Sequence, residues 1–136
     1  MRKINLIVLH CSATREDRVY TPGQLVRDHQ ARGMRSAGYN YYVRRTGEIV
    51  SMRPLEEIPA HAKGFNRNSI GICYEGGLDT GGQPADTRTQ EQKEAIRILL
   101  LMLLTHFPGC RICGHRDLGA NKACPCFNAE EEYAGL

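Results

Sequence analysis

The chain has no apolar run long enough to cross a bilayer: the longest, Ile98 to Leu104, falls far short of the ~20 residues a spanning helix needs. A secretory leader pattern is missing too. Met1-Arg2-Lys3 precedes a short apolar stretch that runs into His10 with no small-residue cleavage site, so cytoplasmic synthesis without a signal peptide is expected. There is no Lys/Arg block. With basic residues scattered and a net charge of only +3, nucleic acid is not implied, and a weak preference for anionic partners is all that charge suggests. Repeats and low-complexity tracts are also lacking, and the turn-rich stretch from Gly76 to Pro84 does not mark a domain boundary. The 136 residues therefore read as a single domain, 1–136, able to bury roughly two thirds of its unfolded surface. Six cysteines permit three disulfides, but a cytosolic chain with a core of this size does not require them; most read as thiols or ligands.

Leu6-Ile7-Val8-Leu9 is apolar without alternation, the pattern of a central strand covered on both faces, and it delivers His10 to the strand end, where an open sheet forms a crevice. Thr21-Pro22 is a helix start, and Gly33 stops that helix. Gly38 to Arg45 and Glu48 to Met52 flank Thr46-Gly47 as a hairpin. Leu55 to Asn68 has no sustained period and carries His61, Lys63, Gly64 and Asn66, which suits a substrate-facing loop. Ser69 to Tyr74 is a further strand. Thr89 to Gln92 is a capping box, and the helix that follows runs to about Phe107 with an apolar run over most of its circumference, so deep burial against the sheet is expected. Arg111 to Gly114 is the last strand and brings His115 to the same edge as His10 if the two strands are neighbours. The tail from Ala129 forms a short helix. The fold class is α/β, a single domain with a central mixed β-sheet flanked by helices.

The stretch from Gly114 to Phe127 gathers His115, Lys122, Cys124 and Cys126 in one loop. Zinc accepts imidazole nitrogen and thiolate sulfur at about 2.0–2.3 Å, and catalytic sites use three protein ligands with the fourth position open to water. His10, His115 and Cys124 make such a set, in a groove at the strand ends. A rival is a closed four-thiolate site from Cys110, Cys113, Cys124 and Cys126, although an extended strand holds the first two sulfurs apart. A redox pair, Cys110 with Cys113 or Cys124 with Cys126, is a third reading.

Several separated motifs then add to this. The strand ending His10-Cys11-Ser12-Ala13-Thr14, Gly38-Tyr39-Asn40-Tyr41, His61-Ala62-Lys63-Gly64-Phe65-Asn66-x-Asn68-Ser69-Ile70-Gly71, Gly114-His115-Arg116-Asp117 and Lys122-Ala123-Cys124-Pro125-x-Phe127 occur in the order found in one family. The chain resembles the zinc-dependent N-acetylmuramoyl-L-alanine amidases of the T7 lysozyme and peptidoglycan-recognition protein type, over nearly its whole length. The resemblance implies zinc on His10, His115 and Cys124, catalytic assistance from Tyr39 and Lys122, and contacts from His61 and Asn66 to the sugar or peptide of the substrate. It implies hydrolysis of the amide joining N-acetylmuramic acid to L-alanine in peptidoglycan by a monomeric phage or prophage endolysin, reaching the wall after release or export. Where some related amidases carry a glutamate after the Ser-Ile-Gly-Ile strand, this chain has Cys73, which shifts weight onto Tyr39 and Lys122. Asp117 reads either as an acceptor that orients a ligand histidine or, structurally, as a partner for the adjacent arginines. Alternatives are a recognition module that binds muropeptide without cleaving it, expected to lack the Cys124 thiolate, and a cytosolic amidase recycling soluble muropeptides.

Overall fold

Strand β1 (Leu6–Cys11) is buried along its whole length as an interior strand of the sheet in the computed structural model, which describes residues 1–136. Parallel neighbours lie on both sides, β5 (Ser69–Tyr74) and β7 (Arg111–Gly114). Beyond β5 comes the hairpin of β3 (Tyr41–Val43) and β4 (Ile49–Ser51), giving the order β4-β3-β5-β1-β7 with only the β3/β4 pair antiparallel. A separate small sheet pairs β2 (Thr14–Arg15) with β6 (Gly77–Leu78). The hairpin turn needs glycine at residue 47. Its φ is +90°, and a Cβ there would stand 3.0 Å from the carbonyl oxygen of Glu91.

Because side chains alternate across a strand, β1 supplies both layers. Ile7, Leu9 and Cys11 join Ile70, Ile72 and Tyr74 in the main core, which helix α2 (Gln90–His106) closes with Ile96, Leu99, Leu100 and Leu103. Each of these helix residues contributes roughly 1.5–3 kcal/mol by leaving water. The expected deep burial of α2 is corrected here. Ile98 is 64 % exposed, and Leu101 and Met102 also face solvent, because the sheet offers the helix only one face to pack against. Thr89 caps α2 through the expected capping box with Gln92.

The opposite face of the sheet carries Leu6, Val8 and His10 beside Ser69, Gly71 and Cys73, and the cavity opens on this side. Helix α1 (Pro22–Ala31), capped by Thr21, covers part of it with Leu25 over Tyr42 and Cys73. The C-terminal helix α3 (Ala129–Glu132) is capped by Asn128 and seats Ala129 and Tyr133 in the main core. Arg88 ties this end down, with its guanidinium 3.4 Å above the Phe127 ring and hydrogen bonds to Glu132, Asp86 and the Tyr133 hydroxyl. That clamp anchors the loop carrying Cys124 from its C-terminal side.

Candidate metal centre

Parallel pairing of β1 with β7 aligns Leu9 with Gly114, so the next residues, His10 near the end of β1 and His115 just beyond β7, meet at the same end of the sheet. Their ring centroids are 4.6 Å apart. The loop after β7 then returns over this end. Gly114 permits the return, since a Cβ there would lie 2.6 Å from Cδ of Pro125. Further fastenings are the Arg116 amide donating to the Cys124 carbonyl at 3.0 Å and the Tyr74 hydroxyl donating to the Pro125 carbonyl at 2.6 Å. Cys124 Sγ is thereby brought to 3.8 Å from Nδ1 of His10, and it accepts the backbone N–H of Cys11 at 3.2 Å. One ligand atom each from His10, His115 and Cys124 lies within 4.8 Å of the others.

This donor set fits zinc in kind and in spacing. Two imidazoles and one thiol match a catalytic ligand composition, and tetrahedral bonds of 2.0–2.3 Å put nitrogen and sulfur about 3.6 Å apart. His10 is 2 % exposed, and its pKa is held well below the ordinary histidine value by burial and by the neighbouring His61 and His115. His115 is lowered as well, by burial and by Lys122. Neutral rings present lone pairs, as ligation requires.

The rival sets do not assemble. Cys113 is buried with Leu6 and Val8 on one side of the sheet, while Cys110 packs against the main core on the other, its thiol pointing at the carbonyl of Ile4. Cys126, the other thiol of this loop, turns to the Gly77 carbonyl at 3.3 Å and to Cys11 Sγ at 3.9 Å, away from both histidines. Asp117 accepts the Gly114 amide at 2.7 Å and so holds the turn that follows β7.

A cavity of about 330 Å³ opens beside the three donors, lined among others by Tyr39, His61, Lys122, Asp28 and Arg32. The Tyr39 ring lies 5.0 Å from His10, and burial together with nearby Cys73 pushes its phenol well above the usual value, so it remains a hydrogen-bond donor. Lys122 is exposed at the rim. Cys73 sits fully buried beside His10 in the β1/β5 register, and no carboxylate replaces it: Glu75 points away, accepting from Arg44 and from the backbone of Tyr20 and Arg45.

The two residues expected to contact substrate, His61 and Asn66, both make hydrogen bonds within the fold. His61 lines the cavity, but its Nδ1 is 2.7 Å from Nε2 of His10 and its Nε2 is 2.8 Å from Oγ of Ser69, which leaves neither nitrogen for a ligand. Asn66 lies outside this cavity. Its Oδ1 accepts the backbone N–H groups of His61 and Ala62, both at 2.9 Å, and so folds the loop. Polar residues without a period give no sign in the sequence of what they bond. The alternation of Ser69 and Gly71 on one strand face was the available signal that something packs there.

The chain matches the family described as N-acetylmuramoyl-L-alanine amidase over residues 1–127. It is 34 % identical over 122 residues to the endolysin of Escherichia phage T7, covering 90 % of this chain and 80 % of that one. The solved N-acetylmuramoyl-L-alanine amidase LysC of Clostridium intestinale superposes with a TM-score of 0.81 at 27 % identity, over 96 % of this chain and 82 % of that one. The peptidoglycan-recognition protein LB of Drosophila shares the fold, with a TM-score of 0.81 at 21 % identity over 100 % of this chain and 82 % of its own.

Proposed function

This chain belongs to the N-acetylmuramoyl-L-alanine amidase family, and from that premise we propose that a zinc ion held by His10, His115 and Cys124 serves its hydrolysis of the muramoyl–L-alanine amide of peptidoglycan. The observation that carries the reading is the convergence of these three donors, from β1 and from both ends of the 115–124 loop, at the mouth of a cavity that Tyr39 and Lys122 also line. Zinc bound there would lower the pKa of its water to about 7 and polarise the scissile carbonyl. One thiolate among the ligands keeps the site formally cationic.

The protein's own groups do the rest. The Lys122 ammonium adds positive charge where the tetrahedral intermediate develops its oxyanion, and the Tyr39 hydroxyl, kept protonated by burial, donates to that oxygen or orients the water. With Cys73 beside His10 and Glu75 engaged with Arg44, these two groups carry the work that a carboxylate shares in some relatives. Every group invoked comes from one chain, so the proposed unit is a monomer. The proposed amidase domain is the whole of residues 1–136, since Tyr133 and Ala129 belong to the same core as β1.

The setting proposed is that of an endolysin acting on the wall after release, with no helix long and apolar enough to cross a membrane. Release of stem peptide from purified sacculi tests the activity. It should stop on addition of a chelator and return with zinc; retention of full activity in chelator would refute the metal assignment.

A further inference from the structure

We propose that His61 is a positioning residue for the metal ligand His10, holding it in the one tautomer that leaves Nδ1 bare toward Cys124. The inference rests on the zinc reading above and deepens it. Between Nε2 of His10 and Nδ1 of His61, 2.7 Å apart, there is room for one hydrogen. Nδ1 of His10 faces the Cys124 sulfur at 3.8 Å and must carry a lone pair to ligate. The hydrogen of His10 therefore resides on Nε2 and is donated to His61, whose own hydrogen falls on Nε2 and is donated to Ser69 Oγ at 2.8 Å. Reversing the chain would place a hydrogen on Nδ1 of His10 and block ligation.

The motif from His61 to Gly71 builds a seat for this ring. Asn66 caps the His61 and Ala62 amides, and Arg2 fixes Ser69 by donating to its carbonyl at 2.6 Å. The ring lies on Gly71, where a Cβ would come within 2.9 Å of Cγ and Nδ1 of His61. Gly71 is itself held by its amide donating to the buried Asn40 side chain at 3.1 Å. Ligand histidines are usually oriented by a carboxylate, a carbonyl or water. An imidazole acceptor orients equally well but adds no negative charge, so the site keeps the cationic character that favours an oxyanion.

The test is zinc affinity measured by competition with a chromogenic chelator, with thermal unfolding of the apo forms confirming that each variant folds. His61→Ala should weaken zinc binding about 10- to 100-fold. His61→Gln, whose amide oxygen can accept from His10 while its NH₂ donates to Ser69, should recover most of that loss. Ser69→Ala, which disturbs only the outer bond, should lose less than His61→Ala and serves if that variant does not fold. Wild-type affinity in His61→Ala, or a His61→Gln variant as weak as His61→Ala, overturns the positioning role while leaving the zinc reading intact. Failure of the wild type itself to bind zinc overturns both.

Discussion

Gly71→Ala probes the metal centre without touching any ligand. The new methyl would sit 2.9 Å from Cγ and Nδ1 of His61 and 3.2 Å from its Cδ2, while ordinary carbon contact begins near 3.5 Å, so the ring must retreat by roughly half an ångström. It cannot retreat freely, because His10 and Ser69 grip its two nitrogens. Overpacking of this kind costs about 1–3 kcal/mol, against a gain of about 0.5–1 kcal/mol from replacing a strand glycine, for a net loss of about 1–2 kcal/mol. The larger signature lies elsewhere. A displaced His61 no longer orients His10, and disturbing such a partner lowers metal affinity about 10- to 100-fold, or about 1.4–2.8 kcal/mol. Chelator competition reads the affinity, and denaturant unfolding of the apo form reads the stability. A variant that unfolds earlier yet binds zinc like the wild type would refute the coupling of Gly71 to the metal through His61.

Two further outcomes follow from the same geometry. Lys122→Ala should lower kcat about 10²- to 10³-fold with little change in KM on a soluble muropeptide, as befits a group that meets charge only in the transition state; equal losses in kcat and affinity would contradict that role. Glu75→Gln should cost about 1–3 kcal/mol at neutral pH, since it replaces the carboxylate that Arg44 bonds at 2.8 Å by a neutral amide oxygen at a buried strand end. Burial alone would raise the Glu75 carboxyl, but the Arg44 bond and the amides of Tyr20 and Arg45 outweigh it and hold the group below its ordinary value. Its contribution is thus present above the unfolded carboxyl range and lost as pH falls through the lower folded value. Urea midpoints of wild type and variant should therefore converge in acid, and a gap that widened below about pH 4 would count against this sign.

How much was legible from residues alone depended on whether periodicity or partnership carried the information. The unalternating Leu6-Ile7-Val8-Leu9 run foretold a strand covered on both faces, and the run before Gly114 foretold the last strand, while their parallel adjacency, on which the meeting of His10 and His115 depends, comes from the structure. The Thr89 capping box stands as expected, and Thr21 starts α1 as expected, with a capping box to Gln24 that only the structure shows. Burial of α2 was overstated because composition around a helix says what could be buried, whereas the sheet decides how many faces are covered; Ile98 is the residue that shows it. The hydrogen bonds of His61 and Asn66 within the fold were hidden for a related reason. A polar side chain in a loop is as compatible with solvent or substrate as with its neighbours, and only the fold reveals that His61 leans on His10 and that Asn66 caps its backbone. The choice between Cys124 and Cys126 likewise needed the loop's path, which sends one thiol to His10 and the other to Gly77.

The most direct test of the central claim is the zinc content of purified wild type, His10→Ala, Cys124→Ser and Cys126→Ser, each paired with stem-peptide release from sacculi. One zinc per chain with activity is expected in the wild type and in Cys126→Ser, and loss of both zinc and activity in His10→Ala and Cys124→Ser. Zinc retained by Cys124→Ser but lost from Cys126→Ser would contradict the claim, because the metal would then lie on the other face of β1, away from the cavity.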